Sequence, residues 1–212
     1  MKIAAIVQAR INSSRLPGKS LMSLGSKTVL AHVIDRLSIC KELDGVIVAT
    51  PDNDIIKEAV NNGAQYYKGD ELDVLARYYY CAKFFGVDRI VRITADCPFI
   101  MPDLIDKLVL QSKYHDYGSN IVKRTYPKGF DCEVFSFEDL ERAFFNAEDP
   151  YEREHVTPFM KRCSVNYSLT DDEDYSDRRI TLDTKQDYEE LIKYNEIIGN
   201  IYNYTDCKAV LK

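Results

Sequence analysis

The stretch 3–7, Ile-Ala-Ala-Ile-Val, places apolar residues in unbroken succession, the pattern of a strand covered on both faces. Such a strand needs helices above and below it, and the following residues supply them in regular alternation. Residues 29–37 set Val29, Leu30, Val33 and Leu37 on one helical face, and 46–49 forms a second strand ended by Thr50-Pro51-Asp52-Asn53. Residues 54–62 read as a helix closed by Gly63, and 65–68 as a short strand. Asp73 caps a helix that runs through Phe85 and stops at Gly86; 89–93 is another strand, and Pro102 opens a helix to about Gln111. This alternation predicts an α/β fold in three layers, α/β/α: a mostly parallel central sheet with helices on both faces and right-handed crossovers.

After about Ser112 the rhythm changes. Residues 114–126 are polar and aromatic, 130–135 predicts an edge or antiparallel strand, 137–145 a helix, and 151–160 a helical turn segment. An acidic loop at 171–177, a strand at 179–182 and a helix at 185–195 follow.

Composition narrows the function. The 45% apolar and 29% charged content is that of a soluble globular protein, and a net charge of -6 argues against general nucleic-acid affinity. No stretch approaches the roughly 20 apolar residues of a membrane span, and Met1-Lys2 before a short strand lacks a secretory core, so the cytoplasm is the expected compartment. The six cysteines show no C-x-x-C spacing and there are three histidines, which disfavours zinc and makes the cysteines, Cys97 included, packing residues.

Against this acidic background, the run 8–19 gathers Arg10, Arg15 and Lys19 with Ser13, Ser14 and a Pro17-Gly18 turn, directly after the first strand. Ligands of open α/β sheets bind outside the carboxyl ends of the strands. Backbone N–H groups there form an anion cradle, and guanidinium forks match phosphate oxygens, so the run suits a triphosphate. The strand at 89–93 ends in Thr94-Ala95-Asp96-Cys97-Pro98, and the expected strand at 179–182 ends in Asp183. In a parallel sheet these ends meet on one rim. A positive cradle facing two carboxylates is the layout of Mg²⁺-dependent nucleotidyl transfer. The plainer roles are a turn cap for Asp96 and an N-cap of the following helix for Asp183.

Several separated runs resemble the cytidylyltransferases that make CMP-activated sugar acids. They are 6–10 (IVQAR), 10–19 (RINSSRLPGK), 73–79 (DVLARYY), 92–98 (RITADCP), 131–136 (DCEVFS), 152–158 (EREHVTP) and 182–184 (LDT), in order over about 1–195. The chain is most similar to the short members linked to spore-coat polysaccharide biosynthesis, and similar to 3-deoxy-manno-octulosonate and acylneuraminate cytidylyltransferases. The resemblance implies a Rossmann-like, GT-A-like nucleotidyltransferase fold as one domain over 1–212. Its parts are a nucleotide-binding half (1–112), an acceptor and dimerisation region (113–178), and a returning strand with a C-terminal helix (179–212).

It also implies roles. Arg10, Ser13, Arg15 and Lys19, with Ser14 beside them, hold the triphosphate of CTP, and Gln8, Ala9 and Thr50 belong to the same nucleotide site. Asp96 and Asp183 ligate Mg²⁺, and Asp70 and Asp73 lie near the base, Asp73 also reading as a plain N-cap. Arg10, Arg15, Lys19 and Asp96 form the catalytic set. Arg92, Asp131, Glu133, Glu154 and His155 are acceptor-side candidates, the last two as a base pair or as a structural histidine with its neighbour. The implied reaction is CMP transfer to a sugar acid with release of pyrophosphate, by a cytoplasmic homodimer in polysaccharide biosynthesis. Thr94-Ala95 stands where the octulosonate enzymes carry Gln-Gly, and the chain is shorter than theirs, which bears on the acceptor. The alternatives are a sugar 1-phosphate acceptor, a nucleotide-sugar glycosyltransferase, and a non-catalytic nucleotide-binding subunit. The glycosyltransferase reading asks for D-x-D at a strand end; Asp96 stands alone at its strand end, and the loop at 171–174 carries that spacing in a polar setting.

Overall fold

In the computed structural model, which describes residues 1–211, the first apolar run becomes strand β1 (Ile3–Gln8). Ala4 and Ile6 point to one side and Ala5 and Val7 to the other, all with no exposed surface. A turn of 3-10 helix (Lys19–Leu21) and a hairpin of β2 (Ser23–Leu24) and β3 (Lys27–Thr28) lead into α1 (Val29–Ser38). Then follow β4 (Gly45–Thr50), α2 (Asn53–Asn61), β5 (Gln65–Lys68), α3 (Val74–Phe85), β6 (Arg89–Thr94) and α4 (Pro102–Gln111). The second half contributes β7 (Tyr117–Ser119), β8 (Glu133–Ser136), α5 (Phe137–Asn146), α6 (Pro150–His155), α7 (Pro158–Cys163), β9 (Asn166–Ser168), α8 (Lys185–Ile198) and α9 (Tyr204–Leu211).

The main sheet has the order β5-β4-β1-β6-β8-β7-β9. Strands β5, β4, β1 and β6 are parallel; β8 runs antiparallel to both β6 and β7, and β9 is parallel to β7. On one face Ala5 and Val7 pack with Val29, Leu30 and Val33 of α1, Leu104 and Leu108 of α4, and Leu191 of α8. On the other, Ala4 and Ile6 pack with Leu75 and Tyr78 of α3 and Leu140 of α5. The three layers expected from the alternation are present.

Local signals explain why the first half obeys its sequence. Thr28 caps α1 through a bond from the Ala31 N–H, Asp73 caps α3 through one from the Ala76 N–H, and Gly86 ends α3 with φ 61°. Arg36, buried in α1, donates to the carbonyls of Ile100, Ile198, Gly199 and Ile201, so it clamps the corner between α8 and α9 to the core.

The second half departs from expectation. The strand expected at 130–135 as edge or antiparallel is β8, which is antiparallel and lies inside the sheet between β6 and β7 rather than at an edge. The segment 114–126 contains β7, and 151–160 divides into α6 and α7. No strand forms at 179–182. Arg179 makes one isolated bridge to Lys128, because this segment lies over the 128–130 turn instead of beside a sheet strand. The Lys128 N–H donates to the Arg178 carbonyl at 2.9 Å, and the Ile180 N–H to the Lys128 carbonyl at 2.7 Å.

Gly129 permits that approach. It adopts φ 108°, and a Cβ there would overlap the Ile180 carbonyl. Gly129→Ala is expected to destabilise the protein by about 3 kcal/mol, from strain and backbone displacement together, read as a lower denaturation midpoint.

Candidate active site

The loop after β1 is shaped by its own backbone and by the next strand. The Gly18 and Ser13 N–H groups donate to the Ile11 carbonyl at 2.8 Å each, and the Asp52 carboxylate accepts from the Ile11 N–H at 2.8 Å. Thr50 is fully buried; its Oγ1 accepts from the Asp52 N–H, so it shapes the turn that holds the loop and does not line the cleft. The loop thereby turns its polar side chains over the carboxyl ends of β1 and β6. Gln8, Ala9, Arg10, Ser13, Ser14, Arg15 and Lys19 line one cleft with Asp96, Asp183, Glu154 and His155.

The two carboxylates meet by a route other than the one expected. Asp96 follows β6, and its carbonyl accepts from the Leu182 N–H at 2.9 Å and from the Thr181 hydroxyl at 3.0 Å. Those bonds, not a sheet register, set Asp183 beside Asp96. Thr184, rather than Asp183, caps α8, in a capping box with Asp187. Lys19 Nζ lies between the pair, 2.6 Å from Asp96 Oδ2 and 2.7 Å from Asp183 Oδ1. Arg15 lies 3.2 Å from Asp183, and Arg179 pairs with the same carboxylate at 2.8 Å.

Burial opposes the charge on Lys19, yet the neighbouring Asp96 and Asp183 hold its pKa above the ordinary value. Burial likewise opposes ionisation of Asp183, and the bonds from Lys19 and Arg179 with the Arg15 charge hold its pKa below the usual range. Both groups are therefore charged at neutral pH. Across the cleft, Arg10 Nη2 pairs with Glu154 Oε1 at 3.2 Å.

Other candidates lie elsewhere. Asp70 accepts from the Leu72 and Asp73 N–H groups and shapes a turn; bonds from Asp73 and Leu72 lower its pKa. Asp73 caps α3 and pairs with Arg153 of α6, at 2.5 Å. Asp131 is held by both arms of Arg124, at 2.6 and 2.9 Å. Arg92 and Glu133 face each other across β6 and β8 in register and form a buried ion pair away from the cleft. Cys97 is 3% exposed beside Thr94, and burial pushes its thiol well above the ordinary range, so it is a packing residue.

Sequence reasoning missed Arg77, Ser20 and Arg179. Arg77 of α3 is 2% exposed, lines the cleft and donates to the Asp70 carbonyl at 2.5 Å. Its Nε, the Ser20 hydroxyl and Gln8 Oε1 are buried at the cleft without protein partners, the condition that a bound polar ligand relieves. A helix reading of ARYYY points Arg77 toward the sheet, which was the available signal. Among the described residues no group of three or more His, Cys, Asp or Glu converges as a metal cage. The donor set for a cation is thus the Asp96 and Asp183 pair, hard oxygens that already enclose the Lys19 ammonium.

A family model described as cytidylyltransferase matches residues 4–205. The chain is 34% identical over 209 residues to the spore coat polysaccharide biosynthesis protein SpsF of Bacillus subtilis, a match covering 89% of this chain and 84% of that protein. It is 35% identical over 111 residues to a 3-deoxy-manno-octulosonate cytidylyltransferase of Solibacter usitatus, covering 51% of this chain and 44% of the other. The solved structure of a cytidylyltransferase from Leptospira borgpetersenii matches with a TM-score of 0.88 at 33% identity, over 93% of this chain and 87% of that one.

The buried Glu133 gives a pH prediction. Burial opposes its charge, but Arg92, Lys161 and Tyr117 outweigh it and lower its pKa to about 2 from the ordinary 4.5. The stability this ion contributes is full above pH 4.5 and is lost as pH falls toward 2. Glu133→Gln is expected to destabilise the neutral protein by roughly 3–5 kcal/mol, since it leaves buried cations unpaired, and to flatten the acid limb of a stability-against-pH curve.

Proposed function

The chain belongs to the cytidylyltransferase family, and on that footing we propose that it transfers CMP from CTP to a sugar acid, releasing pyrophosphate, with Mg²⁺ as its cofactor. The observation that carries this reading is the Lys19 ammonium held between Asp96 and Asp183, beside the loop that bears Arg10 and Arg15. In the proposed reaction the acceptor hydroxyl attacks the α-phosphorus in line and the bond to pyrophosphate breaks. Arg10, Arg15 and the loop hydroxyls of Ser13 and Ser14 bind the phosphates and hold them in that line. Asp96 and Asp183 would hold Mg²⁺, which would supply neutralisation of charge on the phosphorus under attack and on the leaving group. Lys19, drawn off its carboxylates, becomes a counter-ion for the phosphates. His155, with Glu154 as its neighbour, is our candidate for receiving the acceptor's proton.

The acceptor class rests on the relatives. The Solibacter usitatus match is named for a sugar acid and the Bacillus subtilis match for spore coat polysaccharide biosynthesis. We take the enzyme to work in the cytoplasm and as a homodimer. No helix among the described residues is long and apolar enough to cross a membrane. Exposed aromatic residues of α3, α5 and α6, with Phe84 74% and Phe145 68% accessible, offer a face for a second copy.

The test is pyrophosphate release with Mg²⁺, each of the four NTPs, and a panel of sugar acids and sugar 1-phosphates. Release that requires CTP and a sugar acid is expected. Release only with a sugar 1-phosphate, or with another NTP, would sink the reading. Lys19→Ala should slow the reaction roughly 10- to 150-fold, the loss of one charge-assisted bond, and Asp96→Ala should slow it more.

Because one ammonium competes for both carboxylates, Lys19→Met is expected to bind Mn²⁺, a spectroscopic stand-in for Mg²⁺, on the order of tenfold more tightly than the wild type without nucleotide. Electron paramagnetic resonance of free Mn²⁺ reads this directly; weaker or equal binding would count against the carboxylate pair as the metal site.

A further inference from the structure

Val156 is the one described non-glycine residue with positive φ, at φ 70° and ψ −56°. The Thr157 N–H donates to the His155 carbonyl at 2.8 Å, which closes a three-residue γ-turn of the rare, strained hand. A β-branched residue has little tolerance for that conformation, and Val156 has no exposed surface. Strain of this kind persists only where the surroundings over-determine it.

They do so here. The Thr157 hydroxyl donates to Glu133 Oε1 at 2.8 Å. Glu133 is fixed in turn by Arg92, by the Tyr117 hydroxyl at 2.6 Å and by Lys161 at 3.0 Å. Further back on α6, Glu152 pairs with Arg162 of α7 at 3.0 Å, and Arg153 pairs with Asp73. Residues 152, 153, 156 and 157 are thus pinned, and the two between them, Glu154 and His155, are exposed at the cleft wall. Glu154 in turn contacts Arg10.

We propose that the corner at Val156 and Thr157, anchored on buried Glu133, is a positioning device that holds Glu154 against Arg10 and so presets the guanidinium for the phosphates of CTP. The inference rests on the assignment of Arg10 to those phosphates. Glu154 takes one arm of the guanidinium and leaves its other donors free for phosphate oxygens. What the corner supplies is preorganisation: a long, rotamer-rich side chain is ordered before CTP arrives. Thr157, Glu133 and Glu154 are positioning residues, acting through Arg10.

The experiment is calorimetric binding of CTP with Mg²⁺ to the full chain. Thr157→Val, which keeps the volume and removes the hydroxyl, is expected to weaken CTP binding about fivefold, the size of one ordered side chain. Thr157→Ser, which restores the hydroxyl, should bind within about twofold of the wild type. Glu154→Gln leaves the buried anchor intact and should show the same loss as Thr157→Val. In an Arg10→Ala background, neither Thr157→Val nor Glu154→Gln should weaken binding further. Equal losses with and without Arg10 would overturn the proposal, since the corner would then act on the fold at large. Undiminished CTP binding by Glu154→Gln would overturn it as well. An Arg10→Ala protein that binds CTP as tightly as the wild type would instead remove the phosphate assignment on which the inference stands.

Discussion

A single carbonyl oxygen organises the cleft. The Asp96 carbonyl accepts the Leu182 N–H and the Thr181 hydroxyl, and so joins the end of β6 to a segment 85 residues later in the chain. Without that junction Asp96 would face the loop alone. With it, Asp183 arrives close enough for one ammonium to touch both carboxylates, and Arg15 and Arg179 gather on Asp183 from either side. The charge pattern of the cleft is thus a product of backbone hydrogen bonding. The side chains elaborate what the junction brings together.

Two kinds of ion pair follow, with different physical meaning. At the cleft rim the pair of Arg15 with Asp183 is open to water, the Arg15 side chain being 66% exposed. In water-accessible surroundings such a pair contributes little net stability, and its partners exchange at small expense. The pair of Arg92 with Glu133 is sealed in the sheet, where separating the charges is prohibitive. Similar chemistry therefore serves exchange at the rim and fixity beneath it. The sequence analysis put Arg92 and Glu133 on the acceptor side because type and strand position alone do not distinguish the two situations.

What was legible in the sequence was local. Asp73 and Gly86 bracket α3 as read, Pro102 opens α4, and the run after β1 does supply most of the cleft. These are signals carried within a few residues: a cap, a breaker, a two-sided apolar run. The illegible parts depend on distant partners. Strand β7 is three residues around Gly118, too short to show a period, and it exists because β8 and β9 flank it. The segment at 179–182 has strand composition but no neighbouring strand to join, so it bonds to a turn and to Asp96 instead. Arg77 was passed over because a buried arginine is rare and its value lies in the sheet end that α3 crosses.

The absence of a strand at 179–182 bears on how the two carboxylates are mounted. Asp96 stands at the end of a strand paired on both sides, whereas Asp183 is set by the buried side chains of Ile180 and Leu182, by the Asp96 carbonyl and by the capped start of α8. One half of the anionic pair is therefore mounted on the sheet and the other at the start of a helix packed over it. A small shift of α8 against the sheet would change the spacing of the two carboxylates without any strand changing its register.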